Sequence, residues 1–306
     1  MIGIVAPTGH QTGNATTKVK NPLIQKTHKF PQVEGLYGCT MAETGLFRTQ
    51  LANGIMGLAS TTNSKLTKPN FIDALFSSQK SKSKNFSMCL GTNGGYLTFG
   101  GYNANKHIAG EKIQTTKYTK NYMVPITSIG VNAAPNWKFK KPVLAMLDSG
   151  TTFTYLRKDA FNYIRANFNS FCKLKSATPF RLCGGSPVYT DTWTPYCAVY
   201  KQSEYLNLNN FFNSFPRLYM NIGNNVKVVW FPKDYLLYNK TISPGVESFC
   251  TSIRKSPSNR PNSTLGNSFF RHYDIFFDRD GKRISFTRSE CDDRALRAYP
   301  VHGIRA

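Results

Sequence analysis

The stretch Val143-Leu144-Ala145-Met146-Leu147-Asp148-Ser149-Gly150-Thr151-Thr152-Phe153-Thr154-Tyr155-Leu156 is an apolar run that carries an Asp-Ser-Gly-Thr-Thr turn to its end and then resumes. A strand ending on Asp, followed by a Gly that lets the backbone approach closely and by two hydroxyl residues able to donate hydrogen bonds, holds one carboxylate in a defined orientation. Chemistry built on such a turn needs a second, matching Asp-Thr/Ser-Gly, and the sequence contains none.

The aromatic content of 13% beside many Gly, Pro, Asn and Thr residues favours strands and turns, so the expected fold class is all-β. With 306 residues the chain can build one large or two ordinary domains around a real core. Its 39 Lys and Arg against 16 Asp and Glu leave a net charge of +23, which attracts polyanions. The basic residues are scattered, with clusters only at Lys80-Ser-Lys82-Ser-Lys84 and Trp137-Lys138-Phe139-Lys140-Lys141. No zinc-finger, RNP or helix-turn-helix signature accompanies them, so they read as solvated segments and no specific nucleic-acid partner is expected.

Seven cysteines without a Cys-x-x-Cys pair argue for disulfides in an oxidising compartment rather than for a zinc site. Asn-x-Ser/Thr triplets at Asn14, Asn85, Asn239 and Asn262 agree with that compartment. The expected location is the secretory pathway, either secreted or in a lysosome- or vacuole-like organelle. No stretch approaches the roughly 18 apolar residues of a membrane span. The opening Met1-Ile-Gly-Ile-Val-Ala-Pro-Thr lacks the features of a signal peptide, which places the expected true N-terminus upstream of Met1.

Along the chain, residues 1–35 read as loops with at most one edge strand, and Leu36–Cys39 and Gly54–Leu58 as short strands. Phe71, Ile72, Leu75 and Phe76 have the spacing of a short helix. Phe86–Leu90 and Tyr96–Phe99 flank a glycine-rich turn as a hairpin, and Leu218–Ile222 and Val226–Phe231 flank Gly223-Asn-Asn225 as another. Phe161, Ile164 and Phe168 share one face of a core helix. The segment 102–120 loses hydrophobicity and contains Gly110, which sets a domain boundary near residue 110. Among other candidate acids, Asp191 in Asp-Thr-Trp reads as an ordinary turn residue, and Asp274, Asp278 and Asp280 in a strand and hairpin read as solvated carboxylates.

An isolated Asp-Ser-Gly turn is weak evidence, but Leu147–Thr152, the later Leu265-Gly266-Asn267-Ser268-Phe269-Phe270, the closing Tyr273–Asp278 and Ile284-Ser285-Phe286 occur in one characteristic order. On these motifs the chain resembles the pepsin-like aspartic endopeptidases over nearly its whole length. Gly38–Phe47 is most similar to the protozoan and plant-like branches. The resemblance implies an all-β bilobal fold in which each lobe carries an Asp-Thr/Ser-Gly turn, and a hydrophobic-hydrophobic-Gly segment passes through that turn's loop. Asp148-Ser-Gly then pairs with Thr264-Leu265-Gly266. Asn53–Leu58 resembles the equivalent segment of the first lobe, with Asn53 where the family usually has Asp. The first lobe's own Asp-Thr-Gly and its flap hairpin have no match. The expected domains are therefore a partial N-terminal lobe over 1–110 and a complete C-terminal lobe over 111–306.

By the same resemblance, Asp148 is one of two carboxylates that share a proton, one activating water and the other polarising the peptide carbonyl. Gly150 offers an amide and Thr151 a hydroxyl to the Asp148 carboxylate, and Ser149 a hydroxyl to the grip between the two turns. The implied substrate is a polypeptide bound in an extended conformation, without metal or cofactor, and the implied complete molecule is a monomer. The implied disulfides are Cys89 with Cys291 and Cys197 with Cys250. Cys172 and Cys183 are close enough in sequence to close a small loop, and Cys39 is left over.

No His-Glu-x-x-His or Gly-x-Ser-x-Gly motif is present. A Cys–His nucleophile stays open, with six companion cysteines arguing against it. The chain is expected to supply only one Asp and to be inactive alone. Two alternatives are a non-catalytic pepsin-like binding or inhibitory protein and a polyanion-binding protein.

Overall fold

The computed structural model describes residues 2–3, 55–59, 71–78, 83–132, 134, 136–176, 179–185, 196–257 and 262–292. The chain divides into two compact units, residues 1–84 and 85–306. That division lies upstream of the composition break at 102–120. Cys39, Asn53, Asn14, Asp191, Lys80, Lys82 and the expected strand at 36–39 lie outside the described residues.

In the first unit, β1 (Ile2–Gly3) pairs antiparallel with β2 (Ile55–Met56), and α1 spans Phe71–Ser78. Ile72 and Phe76 are buried at i,i+4 spacing, whereas Phe71, one position off that stripe, is 40% exposed.

The second unit is mostly β, as the composition requires. Its strands are β3 (Phe86–Leu90), β4 (Gly95–Phe99), β5 (Gln114–Lys117), β6 (Met123–Val131), β7 (Trp137–Leu147), β8 (Thr154–Leu156), β9 (Cys197–Lys201), β10 (Leu218–Ile222), β11 (Val226–Trp230), β12 (Leu236–Ser243), β13 (Val246–Thr251), β14 (Ile253–Lys255), β15 (Ser263–Leu265), β16 (Tyr273–Asp278) and β17 (Arg283–Arg288). Its helices are α2 (Lys158–Cys172), α3 (Gln202–Tyr205), α4 (Leu208–Asn213), α5 (Pro232–Tyr235) and α6 (Asn267–Phe270).

These strands form a seven-stranded sheet in the order β11-β10-β6-β7-β15-β8-β14, a three-stranded sheet β12-β13-β9 and a five-stranded sheet β4-β3-β16-β17-β5. Both hairpins expected from sequence form, β3–β4 and β10–β11. Alternation along β10 and β11 buries Leu218, Met220, Ile222, Val226, Val228 and Trp230 on one face. On α2, Ala160, Phe161, Ile164 and Phe168 are buried together. Phe86 stacks on Phe277 with 4.6 Å between ring centres, and Tyr122 meets both rings edge-on.

Three disulfides join Cys89 to Cys291, Cys172 to Cys183 and Cys197 to Cys250. The first closes 202 residues and ties β3 to the segment after β17, so β3 and β4 belong structurally with the C-terminal strands. Beside it, Asp292 accepts the Asn93 amide at 2.8 Å and lies 3.4 Å from His272 Nε2. Burial alone would raise the Asp292 pKa, but the Asn93 and Thr92 amides and His272 outweigh it and hold the carboxyl below the usual range. A depressed folded-state pKa stabilises the fold above the unfolded value of about 4, and that contribution is lost as pH falls through the folded pKa. Melting measured from pH 5 down to pH 2 should therefore fall less steeply in Asp292→Asn than in the parent. Identical slopes would remove Asp292 from the acid response.

Candidate active site

The alternation that buries Val143, Ala145 and Leu147 along β7 delivers Asp148 to the strand's end, half-buried. The turn closes there, with the Thr151 amide donating to the Asp148 carbonyl at 3.1 Å. Gly150 N donates to Asp148 Oδ1 at 3.0 Å and Thr151 Oγ1 to Oδ2 at 2.6 Å. Each carboxylate oxygen thus holds one donor from the turn. Ser149 is half-buried between Asp148 and the exposed Gly150.

The loop is held from inside by β15, which lies between β7 and β8, parallel to the first and antiparallel to the second. Asp148 N donates to the Leu265 carbonyl at 3.0 Å, Asn267 N to the Thr151 carbonyl at 2.6 Å, and Gly266 N to Thr154 Oγ1 at 3.1 Å. Thr154 is fully buried, with Ser268 Oγ 3.4 Å from its hydroxyl. Behind them, Trp230 Nε1 donates to the Ser268 carbonyl at 3.0 Å. Sequence reading placed Leu265 and Gly266 here but passed over Thr154, Ser268 and Trp230. The one available signal was a hydroxyl residue, Thr154, inside an otherwise apolar run.

Gly266 has no room for a side chain. A Cβ there would meet the Phe153 and Thr151 carbonyl oxygens, which are backbone atoms of the loop that carries the carboxylate. Gly266→Ala is expected to cost about 1–3 kcal/mol. At roughly 2–4 °C per kcal/mol for a domain of this size, melting should fall by several degrees. An unchanged melting temperature would show that the loop is not threaded as described.

The guanidinium of Arg254 lies 4.3 Å from the centre of the Phe153 ring, bringing a cation to the flank of this turn. The Trp137–Lys141 cluster occupies the other end of β7 and is exposed at Trp137, Lys138, Lys140 and Lys141. Trp137 packs beside Tyr163 on α2, and Arg157 covers Phe139.

Two expectations need correction. Asp274 and Asp278, read as solvated carboxylates, are buried at 1% and 8% exposure. The segment before β5 folds over Asp274, placing His107 Nε2 3.1 Å from Oδ2, and Tyr102 stacks on the His107 ring. Asp278 caps its own turn through the Gly281 amide at 2.7 Å and pairs with Arg283 at 2.9 Å. Asp280 is exposed, as a solvated carboxylate should be. Among the described residues no group of three or more His, Cys, Asp or Glu side chains is arranged to hold a metal ion. No helix there is long and apolar enough to cross a membrane.

The profile of the family described as eukaryotic aspartyl protease matches residues 28–289. Plasmepsin V of Plasmodium falciparum is 25% identical, covering 87% of this chain and 55% of its own length. Aspartic protease 5 of Toxoplasma gondii is 25% identical over 86% of this chain and 24% of its own. Aspartyl protease family protein 1 of Arabidopsis thaliana is 26% identical, with coverage of 83% and 44%. The chain thus spans between a quarter and just over half the length of these relatives.

Proposed function

Because the chain belongs to the eukaryotic aspartyl protease family, and is by family an aspartic endopeptidase of the pepsin-like type, we propose that Asp148 is one carboxylate of its water-activating pair. The observation that carries this reading is the pair of donors on Asp148, Gly150 N on one oxygen and Thr151 Oγ1 on the other, inside a loop threaded by Leu265-Gly266. Two carboxylates about 3 Å apart cannot both ionise and so share a proton. One takes a proton from the attacking water while the other, protonated, donates to the scissile carbonyl. The two titrations belong to the pair, not to either acid. Ser149 we assign to the grip between the two turns.

The substrate class is polypeptide, bound in an extended conformation. These 306 residues hold a single Asp-Thr/Ser-Gly, so the chain by itself is inactive. The three disulfides support an oxidising compartment, for which we propose the secretory pathway, with the protein a monomeric glycoprotein. The test is complementation. Supplied with an Asp-Thr-Gly-bearing first lobe, the chain should cleave peptides under acid conditions and be blocked by a pepstatin-type inhibitor, whereas alone it should not. Absence of cleavage in both settings would overturn the reading.

The single Asp-Ser-Gly also favours a second reading, a non-catalytic member that retains the scaffold and binds or inhibits. It predicts peptide binding without turnover even when the first lobe is present.

A further inference from the structure

Among the described residues the three-stranded sheet ends on β12, which pairs there with β13 alone and leaves its other side an open edge. From Tyr238 to Gly245 every residue is exposed, with Tyr238 at 53% and Ile242 at 52%. An eight-residue edge carrying apolar side chains offers unpaired amides and carbonyls to another chain, a hazard that soluble proteins blunt. Lys240 places one charge there, and two register shifts interrupt the ladder.

The first shift falls at Asn239. Tyr238 lies opposite Phe249 and Lys240 opposite Ser248, so Asn239 is the extra residue of a bulge. Its amide nitrogen has one contact among the described residues, a long 3.5 Å approach to Ser248 Oγ. Asn239-Lys240-Thr241 is also an N-glycosylation triplet. We infer that Asn239 carries an N-linked oligosaccharide and that this glycan shields the open edge of β12.

The other triplets are built differently. Asn85 uses its side-chain oxygen to accept the Arg279 amide at 2.7 Å and the Asp280 amide at 3.3 Å, fixing its amide against the β16–β17 turn. The triplet at Asn262 runs directly into β15, where Ser263 is 2% exposed. Asn14 lies outside the described residues. Three disulfides independently place the chain in the kind of compartment where this modification occurs. The co-reactant is a lipid-diphosphate-linked oligosaccharide. Asn239 Nδ2 forms a bond to the anomeric carbon, the bond from that carbon to the diphosphate oxygen breaks, the lipid diphosphate departs with the electron pair, and one amide proton is released.

The full chain would be secreted from a eukaryotic host behind a cleavable leader and mapped by peptide mass spectrometry. A glycosylated peptide containing Asn239 is expected, lost in Asn239→Gln and retained in Thr241→Ser, which keeps the triplet. Light scattering should show several-fold greater self-association for Asn239→Gln, and for the folded parent after enzymatic glycan removal, than for the intact glycoprotein. Should Asn239→Gln fail to be secreted, enzymatic removal from the parent carries the comparison. Unmodified Asn239 in the secreted parent would overturn the site. Unchanged association after removal would overturn its shielding role.

Discussion

Asp148→Asn, made in a form of the protein that includes the partner carboxylate, should lower peptide turnover by about 10³-fold or more while leaving melting within roughly 1 °C. Asn has nearly the shape of Asp, and its side-chain oxygen can keep the bond from Gly150 N. The Thr151 hydroxyl, which donates to Oδ2 at 2.6 Å, can rotate to accept from the new amide. The loop therefore has no reason to move. What disappears is the proton chemistry, because an amide neither takes a proton from water nor returns one near neutral or acid pH. General acid–base groups contribute about 10²–10⁴-fold each, and a pair that shares one proton loses both functions together. Steady-state cleavage at several acid pH values measures this. A variant retaining more than a tenth of the parental rate would remove Asp148 from the chemistry, and one that melts many degrees lower would make the kinetic loss uninterpretable as chemistry.

Most of this site was legible because its signals are local. Val143 to Leu147 form an apolar run, a Gly stands just past the Asp and hydroxyl residues flank that Gly, so an oriented carboxylate can be read within four residues, while the resemblance assigned its two donors. The hairpins β3–β4 and β10–β11 were legible for the same reason, being period-two strands around glycine-bearing turns. The insertion of β15 between β7 and β8 was not, since more than a hundred residues separate Asp148 from Gly266 and no periodicity encodes that contact. The resemblance to a family carried that step. The β9, β12 and β13 sheet was passed over because β12 is exposed on both faces and so shows no alternation. Asp274 and Asp278 were misread because a carboxylate in a strand beside a charged turn looks solvated. What buries Asp274 is a distant segment bearing His107, 167 residues away in sequence.

Asp234 illustrates the same blindness and supports the second large effect. In Pro232-Lys233-Asp234-Tyr235 it resembles a surface acid, yet it is fully buried in the single turn of α5. His272 Nδ1 lies 2.6 Å from Oδ1, and Arg288 Nη1 donates to Oδ2 at 2.9 Å. The Arg288 guanidinium is flanked by Phe231 at 4.6 Å and Tyr273 at 4.9 Å. Burial pushes the Arg271 pKa down, and Asp234 with Asp292 works against that shift. One carboxylate therefore answers two guanidinium groups, Arg288 and Arg271, and holds the His272 ring beside them. Asp234→Ala should cost about 3–5 kcal/mol, because it strands Arg288 in a dry site rather than merely deleting a contact. Melting should fall by roughly 10 °C. Replacing the pair together, Asp234→Leu with Arg288→Met, should recover much of that loss, since a well-packed apolar substitute for a buried ion pair is often neutral or better. If Asp234→Ala costs under about 1 kcal/mol, water reaches the cluster and the balance described here is wrong. The cost should also reach the Asp148 turn, because α5 follows directly on β11, whose Trp230 holds the Ser268 carbonyl behind Thr154. Loosening that corner frees the floor on which the Asp148 loop rests.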